Sequence, residues 1–207
     1  EASSALVQRH PALGEAVAGL RAGQRYSVVR VWIEAALPDA ALPVFVITER
    51  VRVLDAVTML HRIEDDARAW AERHRGCVLE LHCYAVPDDV PDEEIVAGML
   101  EEATAALPGL AAGRVVRHHL QVKADFAAFH VGMHASRPGV RSPVPGLWLC
   151  GDWVALPFPA MLMEAAYSSG LLAANAILER AGLQGFPVHA VPPKGILATL
   201  RVPEPAS

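Results

Sequence analysis

Gly151 and Asp152 follow a wholly apolar run, Val144-Pro145-Gly146-Leu147-Trp148-Leu149-Cys150, and their types suit contact with a polar ligand. Glycine leaves room for close backbone approach, and a carboxylate at the carboxyl end of a buried strand can accept hydrogen bonds from a ligand hydroxyl. Taken alone, the pair reads as an ordinary turn. Leu162, Met163 and Glu164 open the next helical pattern. Its free backbone N–H groups and positive dipole end would face whatever lies beyond the strand. Glu164 suits that dipole by position, a reading that outweighs catalysis. A stripe of small residues, Ala165, Ala166, Gly170, Ala173 and Ala174, would let the helix pack close to a sheet or to a ligand. Trp32, Trp153 and Phe158 are the aromatic candidates for a lipophilic pocket, although large aromatics in so apolar a chain are more often core.

Other titratable groups carry less. His118-His119 and His130-x-x-x-His134 invite a metal reading, but no cysteine or carboxylate completes a set at metal spacing. Adjacent histidines on a strand also point to opposite faces, so no metal is expected. His82, between Leu81 and Cys83, reads as a sheet histidine with its hydrogen bonds satisfied. Arg137 and Arg141 suit either an anionic ligand or ion pairs at the surface. The acidic run Asp88–Glu94 reads as a solvated loop and helix start. No catalytic residue is assigned.

These residues need elements to hold them. Periodicity predicts a helix over about Pro11–Arg21 closed by Gly23, and helices over Glu64–His74 and from Pro91 to about Leu107. β-branched and aromatic runs predict strands at Arg25–Ile33, Val44–Thr48, Ala56–Arg62, Cys77–Val86 and Val115–Lys123, with Pro38 and Pro43 bounding a loop. That order suggests an antiparallel sheet covered by helices on one face. The final block differs: Val144–Cys150 has the pattern of a strand buried on both faces in a parallel sheet, and a long helix follows from near Ala160 to Ala181-Gly182.

Composition narrows the function classes. Eighteen basic against twenty-three acidic residues give a net charge of −5, no footprint for a nucleic-acid backbone. At 53% hydrophobic and 20% charged residues the chain can bury a core, with apolar surface to spare for a lipophilic partner. A bilayer span needs about 20 apolar residues, whereas Asp152 and Glu164 leave uncharged runs of 11 (Trp153–Met163) and 14 (Ala165–Leu178). No signal peptide is visible at the start of the sequence. Cys77, Cys83 and Cys150 are expected to be buried free thiols, as in a reducing cytoplasm.

The segment Pro145–Val154, with Pro159-Ala-Met-Leu-Met-Glu-Ala-Ala-Tyr-Ser-Ser-Gly170 and Ala173–Leu178, resembles the C-terminal flavin motif of the FAD-dependent amine oxidase and carotenoid desaturase superfamily. Leu54–Leu60, Ala69–His74, Val78–Ala85 and His130-Val-Gly-Met-His134 look like its branch of isorenieratene-synthase-like carotenoid desaturase/methyltransferases. The resemblance implies an α/β chain: an α+β portion of the substrate domain over residues 1–130, and the C-terminal βα segment of a glutathione-reductase-like FAD domain over 131–185. A tail over 186–207 would follow. It implies FAD as cofactor, with Gly151, Asp152, Trp153, Leu162 and Met163 binding it and Asp152 meeting the ribityl chain. Trp32 and Phe158 would line the pocket of a lipophilic small-molecule substrate. The superfamily's G-x-G-x-x-G is absent from this sequence, so a dinucleotide-binding half in cis or on another chain is the implied partner. The activity implied is desaturation of a carotenoid or related polyisoprenoid by hydride transfer to FAD, with a methyl shift and ring aromatisation as an extension. An amine oxidase or other FAD dehydrogenase is the alternative, and a non-catalytic fragment without FAD is a third reading. The expected location is the cytoplasm, with room for peripheral membrane contact.

Overall fold

The computed structural model describes residues 5–35 and 42–191. Pro38 and the tail beyond residue 191 therefore lie outside the described residues. The chain divides into two compact units, Gln24–Ala124 and Glu1–Gly23 with Asp125–Ser207. The expected boundary at residue 130 is thus met at Ala124, and the first 23 residues group with the C-terminal segment, not with the sheet. Periodicity cannot reveal this, because the grouping is made by contacts distant in sequence, such as Gly23 N–H donating to Phe126 O at 2.7 Å.

The first unit is built on strands β1 (Tyr26–Glu34), β2 (Phe45–Ile47), β3 (Ala56–Met59), β4 (Cys77–Cys83) and β5 (Arg114–Lys123). They form one antiparallel sheet in the order β2-β3-β4-β1-β5. β1 alternates between buried and half-buried positions, the signature of a sheet with one core face. Val29, Val31 and Ile33 share that face with Leu79, Leu81, Val57 and Met59. Helix α4 (Asp92–Ala106) covers it, burying Ile95, Met99 and Ala103 at the spacing of one helical stripe. Each fully buried aliphatic side chain there contributes about 1.5–3 kcal/mol. Three acids in the first turn of α4 complement its dipole.

Glu102 on α4 accepts hydrogen bonds from the amides of Val51, Arg52, Val53 and Leu54, which pins the loop before β3 to the helix. The opposite face is not bare, as a one-sided arrangement would leave it. Helix α3 (Asp65–His74) packs Ala67 and Trp70 against Trp32, Leu60 and Val78 there. The strand expected to reach Arg62 ends at Met59, and Leu60–Arg62 turns as a short 3-10 helix into α3. Gly76, after α3, lies where any Cβ would collide with the backbone carbonyl of Ile33.

The second unit holds helices α1 (Ala5–Arg9), α2 (Pro11–Ala18), α5 (Met133–Ser136) and α6 (Leu162–Arg180). The single helix expected at Pro11–Arg21 is thus shorter and has a companion before it. Leu13, Leu149 and Val154 form its core with Val7, Val17, Val140, Val144, Leu147 and Trp153. Val144–Cys150 does not form the expected strand: among the described residues its pairing is one bridge between Arg141 and Trp148, with the Leu149 N–H to Val140 O bond of 2.8 Å. A central strand takes hydrogen bonds from neighbours on both sides along its length, and a single bridge on one side does not supply them. Cys77 and Cys83 are buried free thiols as expected, and burial pushes the Cys77 thiol up to about 12. Cys150, off any strand, is exposed.

Candidate functional site

The Gly151-Asp152 turn and the start of α6 meet within the second unit through a residue that sequence reading passed over. Ser169, fully buried on α6, accepts the Gly151 N–H at 2.8 Å, and its hydroxyl lies 3.0 Å from Gly151 O and 2.9 Å from Ala166 O. Gly151 sits at φ +136°, a region essentially reserved for glycine. A Cβ there would come within 2.7 Å of Trp153 Cδ1 and closer still to Nε1. The space glycine opens is thus filled by the Trp153 indole, which itself packs half-buried against the Leu13, Leu149 and Val154 core.

Asp152 is half-buried, and its carboxylate makes no hydrogen bond among the described residues. Its backbone carbonyl is held by buried Arg137, which donates to Asp152 O at 3.1 Å and to Ala128 O at 2.7 Å and lies 4.3 Å over the Phe129 ring. Burial lowers the Arg137 pKa, with the Asp152 carboxylate opposing that shift. Neither role foreseen for Arg137 holds, since its guanidinium is turned inward to carbonyls. Arg141 instead pairs with Glu179 at 2.6 Å on the surface.

The first turn of α6 lies open. Met161, Leu162, Met163 and Tyr167 are exposed, Met163 to 87%, and Leu162 adopts a left-handed φ of +49° that non-glycine residues rarely hold. Such strain clusters at ligand sites. The Leu162 and Met163 amides precede the first intrahelical bond, Ala165 N–H to Met161 O, and remain free to donate. Glu164 is exposed and finds no buried hydrogen bond. Of the small-residue stripe, Ala165 and Ala173 are buried, Ala174 is half-buried and Ala166 is exposed, and a Cβ on Gly170 would meet nothing within 4 Å; the buried face of α6 runs instead through Ala165, Ser168, Ser169, Ala173 and Ala176.

Phe158 is half-buried in this unit. Trp32 belongs to the other unit, packed beside Trp70 with Arg117 4.2 Å over its ring. Among the described residues no group of three metal-ligating side chains exists, and His118 and His119 lie on opposite faces of β5. No described helix is long and apolar enough to cross a membrane.

Ser169→Ala is expected to destabilise the chain by about 1–3 kcal/mol, because it leaves the part-buried Gly151 N–H without its acceptor. Denaturant unfolding of the variant beside wild type measures this, and an unchanged midpoint would show that the clamp contributes nothing.

A half-buried carboxylate with open acceptor sites, a glycine-only turn and free amides at a helix start lie in one unit, groups able to accept from hydroxyls and donate to carbonyls. The family model described as flavin containing amine oxidoreductase matches residues 41–178. The chain is 40% identical over 185 residues to a carotenoid phi-ring synthase of Chlorobaculum tepidum, covering 88% of this chain and 28% of that protein. It is 38% identical over 201 residues to a carotenoid phi-ring synthase of Streptomyces griseus, covering 95% of this chain and 39% of that protein. It therefore spans between about a quarter and two-fifths of the length of these relatives. A crystal structure of an oxidoreductase from Methanosarcina mazei shares the fold, with a TM-score of 0.50 at 19% identity over 84% of this chain and 38% of that one.

Proposed function

The chain belongs to the flavin containing amine oxidoreductase family, and we propose that it forms part of an FAD-dependent oxidoreductase that desaturates and aromatises the ring end of a carotenoid. The observation that carries this is the Gly151-Asp152 turn locked onto α6 by Ser169, which leaves the Asp152 carboxylate and the Leu162 and Met163 amides free. The similarity to two phi-ring synthases supplies the substrate class.

FAD, when bound, supplies an acceptor for a hydride from an allylic carbon. The chain's own part is to hold and polarise. Asp152 accepts from a ribityl hydroxyl, and Gly151, at a φ that only glycine holds easily, sets the turn that presents it. The Leu162 and Met163 amides, at the positive end of a 19-residue helix, stabilise negative charge that develops on the ring system they face. Exposed Met161, Met163 and Tyr167, with half-buried Phe158, offer an apolar surface that excludes water around a hydrocarbon.

The pyrophosphate of FAD is seated elsewhere in this superfamily by a glycine-rich turn that this sequence lacks. The 207-residue chain purified alone is therefore expected to carry little or no flavin. A visible spectrum decides this, and stoichiometric yellow flavin would overturn it. The assignment itself is tested by feeding β-ring carotenoids to cells that express the chain together with a dinucleotide-binding half. Aromatic-ring products are expected, and oxidation of amines with no carotenoid conversion would refute the proposal.

A further inference from the structure

The two edges of the antiparallel sheet differ. At one, β2 has only three residues. At the other, β5 runs ten residues, is exposed on both faces from Arg114 to His119, and pairs with β1 alone among the described residues. An edge strand turns backbone N–H and C=O groups away from its sheet on alternate residues. The register is regular from Tyr26↔Lys123 to Trp32↔Arg117, then shifts between Trp32 and Ile33, where Val116 is skipped. Such a bulge ends clean pairing. The usable edge is therefore Arg117–Lys123, at least as long as an ordinary strand of about five or six residues.

The faces of this edge carry different chemistry. His118, Leu120 and Val122 stand opposite Val31, Val29 and Ser27 on the side that α4 covers, because directly opposed residues share a face. Leu120 and Val122 are only partly buried there, at the rim of the core. Arg117, His119, Gln121 and Lys123 stand opposite Trp32, Arg30, Val28 and Tyr26 on the other side. The whole strand holds three permanent cations, two histidines and no acid. Glu34 takes Arg114 at 2.6 Å, whereas Arg117 lies 4.2 Å over the Trp32 ring. A guanidinium stacked by its face keeps its N–H edge for a carboxylate. A second copy of β5 would set this positive charge against itself, so the edge is built against its own kind.

We propose that the Arg117–Lys123 edge receives an extended segment from the part of the enzyme outside this chain, added as a sixth strand. This rests on the reading that the chain is part of a larger oxidoreductase. The residues of that segment alternate. Apolar ones lie on the α4 side and close the core at Leu120 and Val122, and carboxylates lie on the other side, against Arg117 and the basic residues beside it. Main-chain hydrogen bonds supply the affinity and the alternation supplies the selectivity. The relatives have chain to spare for such a strand: this chain covers 28% of one phi-ring synthase and 39% of the other, which leaves more than half of each outside it.

Hydrogen exchange tests this on the complete enzyme, beside the 207-residue chain alone. In the chain alone, the alternate amides of Arg117–Lys123 that point away from β1 should exchange nearly as fast as in an unfolded peptide. In the complete enzyme they should slow by about 100-fold or more. His119→Glu combined with Gln121→Glu sets carboxylates beside the incoming ones and spares the Arg117 stack. In that variant the same amides should exchange about tenfold faster than in the wild-type enzyme. Arg73→Glu, at an exposed position of α3, should leave them unchanged. Amides that stay fast in a complete enzyme holding flavin would overturn the proposal and leave the carotenoid reading intact. So would a double variant without effect, or amides that slow in the chain alone as its concentration rises, the mark of a second copy. A complete enzyme that holds no flavin would take down that reading and the proposal resting on it.

Discussion

Gly151→Ala is expected to cost the complete enzyme most of its bound flavin and to destabilise the chain by about 3 kcal/mol. Two penalties act at once. A backbone at φ +136° holds a Cβ only with strain of about 1–3 kcal/mol. The added methyl would also press into the Trp153 indole, which packs half-buried against the second unit's core and would have to give up those contacts to move. Relief by backbone movement would break the bonds between Ser169 and Gly151 and displace Asp152, the carboxylate proposed to hold the ribityl chain. The two penalties separate in a double-mutant cycle. In a Trp153→Ala background the clash vanishes and only the backbone strain persists, so Gly151→Ala should cost clearly less there. Flavin content by absorbance and unfolding by denaturant measure both arms. A Gly151→Ala enzyme with full flavin and unchanged unfolding would show that the turn is merely tolerant.

Sequence pattern revealed most of the first unit because each of its elements is decided locally. Tyr26–Glu34 and Cys77–Cys83 carry dense β-branched and apolar runs, and Asp92–Ala106 carries acids at its start and one apolar stripe. The second unit was legible only where a helix could be read alone, as in Leu162–Arg180. Val144–Cys150 has a strand's composition but pairs only through a single bridge, because hydrogen-bonded neighbours, not composition, complete a strand. The site divides the same way. Gly151 and Asp152 stood out by type and context, and both lie at the turn. Ser169 and Arg137 did not, since a serine in a helix and an arginine before a turn look ordinary until the chain closes 18 and 15 residues away. His82 was legible as a satisfied sheet histidine, and its Nε2 lies 3.2 Å from Thr58 Oγ1 on the next strand.

Trp153 and Phe158 discriminate between a hydrocarbon and an amine substrate, and the structure assigns them different weights. Trp153→Ala removes a ring that packs against the core and against Gly151, a truncation worth about 3–5 kcal/mol where such a ring is fully buried and less at half burial. Its activity loss would therefore mix stability with catalysis. Phe158→Ala touches neither the Leu13–Leu149–Val154 core nor the Ser169 clamp, which makes it the cleaner probe. A carotenoid has no charge to anchor it, so its affinity rests on apolar contact alone. Losing half a ring's burial, about 1–2 kcal/mol, should lower carotenoid conversion by about tenfold with flavin content near wild type. An amine substrate, anchored by its charge, would feel that change less. The decisive comparison is kcat/KM for a carotenoid and for a primary amine in wild type and Phe158→Ala. A carotenoid value that survives the substitution, or an amine turned over faster than any carotenoid, would move the assignment from the carotenoid to the amine.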